Sequence, residues 1–184
     1  MRNKQKIIRF LYKWRVRTGL IVALAVLGLS RPTPFSLAGG FLLCGCGLLL
    51  RTWASGYLHK AHKLATSGPY KYTRNPLYLG NFIIGLSLAL GSWSWWVLGI
   101  FLIYFGLFYP VVIQQEKEKM ENLFPQEYKN YREKVPLFFP SPKPNSSNSG
   151  EKFSWVVHKK NKEFRALWGM LVFWAILFGK YMLL

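Results

Sequence analysis

The sequence predicts an all-α, polytopic membrane bundle of about five transmembrane helices with a cytoplasmic helical tail. Three observations carry that fold class. Of the 184 residues 51% are apolar and only 17% are charged, whereas soluble domains carry about a quarter charged residues. Residues 75–115 contain no Lys, Arg, Asp or Glu in 41 consecutive positions, twice the ~20 apolar residues that a bilayer crossing takes. The basic residues also fall in alternate connecting segments, as the positive-inside rule requires.

Residues 18–30 form the first span. It is short, so Trp14, Arg15 and Arg17 are expected to snorkel at its inner end, and Pro32 and Pro34 close it. Residues 35–50 form the second span, continuing past Arg51 toward Leu58. The long uncharged run holds the third and fourth spans, joined at residues 91–96. There glycine and serine favour a turn, and Trp93, Trp95 and Trp96 suit the membrane interface. Residues 166–184 form the fifth span, with Lys180 near its far end. Residues 1–17 carry seven Lys/Arg, residues 51–74 carry five and residues 116–165 carry eleven, while the opposite loops hold only Arg31 and Lys180. Five spans therefore put the N-terminus and all three basic segments on the cytoplasmic face and the C-terminus on the other. The fourth span is expected to run on as a helix through residues 114–123 and stop near Pro125, followed by a short helix over 127–134. The Pro/Ser/Asn-rich residues 141–150 read as a linker. The organisation is thus a core over 1–140, that linker, and a basic segment with the terminal helix over 151–184.

The formal charge of +18 does not indicate a nucleic-acid partner, because the basic residues flank apolar spans. All seven acids are glutamates between positions 116 and 163, which argues against a carboxylate-rich metal site in the first hundred residues. Cys44 and Cys46 are two apart on a helix and do not face each other, so neither a disulfide nor a metal pair is expected. Residues 1–17 are too charged for a cleavable signal peptide. His158 falls in the basic tail and reads as solvated.

The most constrained stretch is residues 65–80, where Arg74, three tyrosines, two prolines and two glycines precede a long apolar segment. An arginine at the mouth of a membrane helix is costly without an anionic partner, and Pro69 and Pro76 fix the backbone around it. Arg74 precedes the third span and Glu116 follows the fourth, so the hairpin returns both to one face. That placement suits either a structural ion pair or a polar site for a charged ligand.

His62-Lys-Leu64, Gly68-Pro69-Tyr70 and Arg74-Asn75-Pro76-Leu-Tyr78-Leu-Gly80 resemble the signature of the isoprenylcysteine carboxyl methyltransferase and phospholipid methyltransferase superfamily. Glu116, Met120, Phe124-Pro125, Tyr128, Tyr131, Val135-Pro136 and Pro140 follow in that family's order and spacing. The resemblance covers residues 40–140. Asn75 stands where many members have histidine, so a proton-transfer role is not expected there. Lys117 replaces the second glutamate of a pair, and Pro125 replaces a glycine. The resemblance implies methyl transfer from S-adenosylmethionine, bound at the cytoplasmic face, to a lipophilic or lipid-anchored acceptor presenting a carboxylate, amine or thiol. It implies Arg74 and Glu116 as catalytic residues, Arg74 on the cofactor carboxylate and Glu116 on its amino group or ribose hydroxyls. His62, Leu64, Gly68, Pro69, Tyr70 and Asn75 would line the cofactor, with Tyr70, Tyr78 and Tyr128 offering ring faces. Membrane lipids are the expected surroundings, and neither a metal nor a nucleic acid is expected. Two alternatives stand beside it: an NADPH-dependent membrane reductase of the sterol-reductase type, and a non-catalytic membrane protein whose basic tail binds anionic lipid.

Overall fold

A computed structural model describes residue 14 and residues 18–59, 62–145 and 150–183. The basic N-terminal segment (apart from Trp14), part of the 141–150 linker and residue 184 lie outside the described residues. Every expected span is a helix, and there is no strand among the described residues. The elements are α1 (Thr18–Leu29), α2 (Pro34–Ser55), a 3₁₀ turn (Gly68–Lys71), α3 (Pro76–Ser92), α4 (Trp95–Leu123), α5 (Pro125–Lys134), α6 (Trp155–Lys160) and α7 (Phe164–Leu183). Helices α2, α4 and α7 are long and apolar enough to cross a membrane. Helix α1 is shorter, and α3, with 17 residues, reaches about 25 Å at 1.5 Å per residue.

Local chemistry sets the ends. Thr33 caps α2 through a reciprocal capping box with Ser36, with Pro34 in the first turn. Pro76 opens α3 as Pro125 opens α5. Trp93 takes the left-handed conformation that ends α3, at φ 47°, and Ser94 precedes α4. Trp93, Trp95 and Trp96 stand exposed at this turn, as interface anchors would.

The spine of the bundle is the antiparallel pair α2 and α3, and small residues let it close. A Cβ on Gly40 would fall 2.8 Å from the backbone of Gly91, and one on Gly47 would fall 3.0 Å from the Gly80 carbonyl. Helices without side chains at the crossing approach closely and gain dispersion contacts that lipid cannot replace. The Ser36 hydroxyl donates to the Gly91 carbonyl at 3.1 Å. Trp174 of α7 lies over both Gly40 and Gly91 and joins Leu177, Phe173, Val97, Ile84 and Cys44 in the main core. Cys44 is buried and Cys46 exposed, as their spacing dictates. At one end of the bundle Lys180 Nζ donates to the Leu27 and Gly28 carbonyls at 2.7 and 3.0 Å, satisfying the C-terminus of α1.

At the other end two return segments tie the helices together. Residues 71–75 run antiparallel to 136–145: Arg74 N–H donates to Pro136, Asn75 Nδ2 to Leu137, Thr73 hydroxyl to Phe138, Ser141 N–H to Tyr72 and Asn145 N–H to Lys71. The first half of the proline-rich linker is therefore held against the 3₁₀ turn. Residues 151–163 wrap the C-terminus of α2. Ser154 N–H donates to Gly56, Asn161 Nδ2 to Ser55 and Leu58, and Arg51 pairs with Glu163 at 2.6 Å. His158 is not solvated as its neighbours suggested: its Nδ1 lies 2.6 Å from the hydroxyl of fully buried Ser55. Sequence charge could not reveal this, because the wrap alone brings the two together.

Candidate active site

The two return segments carry the predicted site residues to one end of the bundle, where α2 and α4 finish and α3 begins. Gly68 takes φ +58°, and a Cβ there would meet the Tyr57 ring at 2.5 Å, so the position accepts only glycine without strain. That kink starts the turn that buries Pro69 and Tyr70. The Tyr70 carbonyl accepts a 2.6 Å hydrogen bond from the Tyr131 hydroxyl of α5. Leu64 is buried against Tyr128, Tyr131 and Val135, with Met120 and Phe124 packed beside them. Tyr70 packs with Ala54, Ala65 and Leu77.

Arg74 Nη1 donates to the Tyr128 hydroxyl at 3.1 Å, and its guanidinium carbon lies 5.7 Å from the centre of the Tyr128 ring. Its Nε is enclosed and has no hydrogen-bond partner. On the α3–α4 side the Tyr78 hydroxyl donates to Glu116 Oε2 over a long 3.5 Å, and the Tyr78 ring sits edge-on to Tyr109. Arg74 and Glu116 are not paired with each other; each is held by a tyrosine. Burial pushes the Tyr70 phenol far above its ordinary range, reinforced by Tyr131 and then by the Glu116 carboxylate. Burial likewise raises Tyr131, against the pull of Arg74 and with help from Tyr128. Both phenols stay neutral, so the cluster is a tyrosine wall that adds no charge beside Arg74 and Glu116.

Of the predicted residues, Leu64, Gly68, Pro69, Tyr70, Arg74, Tyr78, Glu116 and Tyr128 are thus gathered around this wall. Asn75 serves the backbone instead: it precedes α3, and its amide donates to the Leu137 carbonyl at 2.9 Å. His62 is exposed at the edge, its N–H bonded to the His59 carbonyl. Sequence reasoning named Tyr131 as part of the family motif but gave it no site role. The signal that could have found it was its three-residue spacing from Tyr128 on a helix, which puts both rings on one face.

The match to known proteins falls on this region. The phospholipid methyltransferase family pattern covers residues 35–127. The chain belongs to the phospholipid methyltransferase family. It is 34% identical over 152 residues to the cobalt-zinc-cadmium resistance protein CzcN of Cupriavidus metallidurans, covering 79% of this chain and 68% of that protein. It is 34% identical over 84 residues to the protein-S-isoprenylcysteine O-methyltransferase of Schizosaccharomyces pombe, covering 45% of this chain and 35% of that protein. It is 29% identical over 102 residues to the steroid 5-alpha-reductase DET2 of Solanum lycopersicum, covering 52% of this chain and 39% of that protein. No solved structure matches. This family member is a helical membrane protein of the methyltransferase class, and the family implies a methyl donor.

The donor set suits such a group. An arginine with an enclosed, unanswered Nε and a glutamate held only by one long contact leave a cationic and an anionic partner for a zwitterion. No group of three or more His, Cys, Asp or Glu comes together among the described residues.

Proposed function

We propose that this protein transfers a methyl group from S-adenosylmethionine to a lipophilic acceptor at the cytoplasmic membrane face. The observation that carries the reading is the placement of Arg74 and Glu116, both within the family's matched region and not paired with each other, around one tyrosine-lined cluster. S-adenosylmethionine, when bound, supplies a methyl group activated on a sulfonium. Arg74 would hold its carboxylate with donors that Tyr128 leaves open, and Arg is suited to this because its donors form a planar fork. Glu116 would accept from its amino group or ribose hydroxyls. Leu64 and the Gly68–Tyr70 turn form an apolar wall, and Tyr128 and Tyr78 offer ring faces that attract a cation.

The protein's task in such a displacement is alignment and exclusion of water rather than covalent catalysis. A carboxylate acceptor reaches the site already deprotonated. An amine or thiol acceptor must lose a proton, and Glu116 is the base in the cluster, since Asn75 cannot serve. The test is incubation of purified protein and native lipid extract with methyl-labelled S-adenosylmethionine, followed by mass identification of the product. A labelled lipid supports the reading, and its absence, with no heat of binding for S-adenosylmethionine, overturns it. A second reading, NADPH-dependent reduction, is favoured by the likeness to the plant reductase. It predicts calorimetric binding of NADPH and none of S-adenosylmethionine.

A further inference from the structure

Two charged segments lie at the polar end of the bundle, and they differ in balance. Residues 116–134, on α4 and α5, hold five glutamates and five Lys/Arg. Some of these neutralise one another at the surface, as Arg132 and Lys117 do on Glu121 at 2.8 and 4.0 Å. Residues 151–165 hold two glutamates and five Lys/Arg. Both of those glutamates turn inward. Glu163 pairs with Arg51 at 2.6 Å and Glu151 with Lys63 at 2.7 Å, and the two carboxylate side chains are only 12% and 14% exposed. Lys152, Lys159, Lys160, Lys162 and Arg165 are all exposed, and none pairs with a glutamate among the described residues. The exposed surface of this segment therefore presents five cations and no anion. Other residues fasten it to α2, namely Ser154, His158, Asn161 and Glu163, so the cations are free for a partner.

The position of the segment says which partner. Helix α7 begins at Phe164, and its 20 residues reach about 30 Å, the thickness of a hydrocarbon core. Helix α6, just before it, lies at the boundary of that core. Apolar side chains are interleaved with the cations there. Trp155 and Val156 are each 64% exposed and stand one helical turn before Lys159 and Lys160. Phe164 and Trp168, both exposed, share a face at the start of α7. A dissolved polyanion would satisfy the lysines and leave these rings in water. A phospholipid leaflet satisfies both, because the rings sink below the headgroups while the lysines reach up to them.

We infer that residues 152–165 form a docking surface for anionic phospholipid, with Trp155, Val156 and Phe164 seated below the headgroups and Lys159, Lys160 and Lys162 on their negative charges. The balanced α4–α5 segment is not such a surface, since its own glutamates repel the same lipids. The inference stands apart from the methyltransferase reading and adds a lipid partner on the outside of the bundle.

The test replaces Val156 of the full-length protein with the photoreactive p-benzoylphenylalanine and identifies by mass what it captures. In nanodiscs of phosphatidylglycerol mixed into phosphatidylcholine, phosphatidylglycerol adducts should exceed that lipid's share of the bilayer by about fivefold or more, the factor that one basic residue supplies at a charged leaflet. Raised salt, which tests the same charges without any substitution, should reduce the excess. Lys159→Gln/Lys160→Gln/Lys162→Gln should return the adducts to the bilayer's own composition. Lys129→Gln/Lys134→Gln, which removes two exposed cations from α5, should capture as the parent does. Adducts in proportion to bulk lipid in the parent overturn the inference, as does an excess that survives both salt and the triple variant. Capture of protein or nucleic acid in place of phospholipid, in native membranes, also overturns it. Each of these failures leaves label transfer from S-adenosylmethionine untouched, so the two readings fail separately.

Discussion

Gly68 and Gly150 both hold positive φ, +58° and +67°, but only Gly68 has a neighbour where a Cβ would stand. Replacing each with alanine separates backbone strain from steric displacement. Left-handed backbone costs an L-residue about 1–2 kcal/mol, and the stiffer unfolded chain returns about 0.4–1 kcal/mol, so Gly150→Ala should lose at most about 1.6 kcal/mol. Gly68→Ala adds a contact of 2.5 Å with the Tyr57 ring, which Phe153 holds edge-on at 6.1 Å. Overpacking of that kind adds about 1–3 kcal/mol, for a total of roughly 1–4.6 kcal/mol. Denaturant titration in mild detergent measures the difference. Because the strained turn carries Tyr70, Gly68→Ala should also weaken calorimetric S-adenosylmethionine binding, by about tenfold for each 1.4 kcal/mol transmitted. A double-mutant cycle with Tyr57→Ala should show coupling, since removing the ring removes the clash. Equal destabilisation of the two alanine variants, or no coupling, refutes the reasoning.

Arg74→Ala and Glu116→Ala should each abolish measurable S-adenosylmethionine binding while the helical circular dichroism spectrum is retained; unchanged affinity in both removes their assigned roles. Burial raises Tyr70 and Tyr131 above their ordinary 10.0, so the unfolded chain releases these protons first as pH rises. Their contribution is fully present below about pH 10 and is lost above it; thermal scans across pH 7–11 should be flat and then fall, and Tyr131→Phe should shallow the fall. Lys180→Met should cost about 1–3 kcal/mol in denaturant titration by leaving the Leu27 and Gly28 carbonyls without their donor.

The helices were legible because their signals are local: apolar length, prolines in first turns, and a Gly-Ser-Trp turn. The ends fell within a few residues, with α2 running from Pro34 to Ser55 and α4 to Leu123. The membership of the site was legible in part. Placing Arg74 and Glu116 at opposite ends of one hairpin was enough to bring them to the same end of the bundle. What the sequence could not supply was their partners. Tyr128 reaches Arg74 across 54 positions because residues 136–145 run back along 71–75, and no periodicity marks an irregular pairing of that kind. Arg51 is the second such case. It reads as an interruption of an apolar span, yet it bridges α2, α3 and the start of α7. Glu163, 112 positions away, looked like one more charge in a basic tail.

The arrangement of charges has its own logic. A direct Arg74–Glu116 bridge would be an ion pair at the membrane boundary, and a zwitterionic ligand would have to break it, exposing two partly desolvated charges. Neutral phenols avoid that cost. Tyr128 and Tyr78 satisfy one atom of each charged group, and phenols, which ordinarily titrate at about 10, add no competing anion at neutral pH. The ion pair that does form, Arg51–Glu163, lies beyond the tyrosine wall, where it joins three helices. One charge pair thus holds the bundle together, while in the proposed function the other is kept apart for S-adenosylmethionine. On that proposal, separating the two assignments lets the same end of the bundle be rigid and still bind.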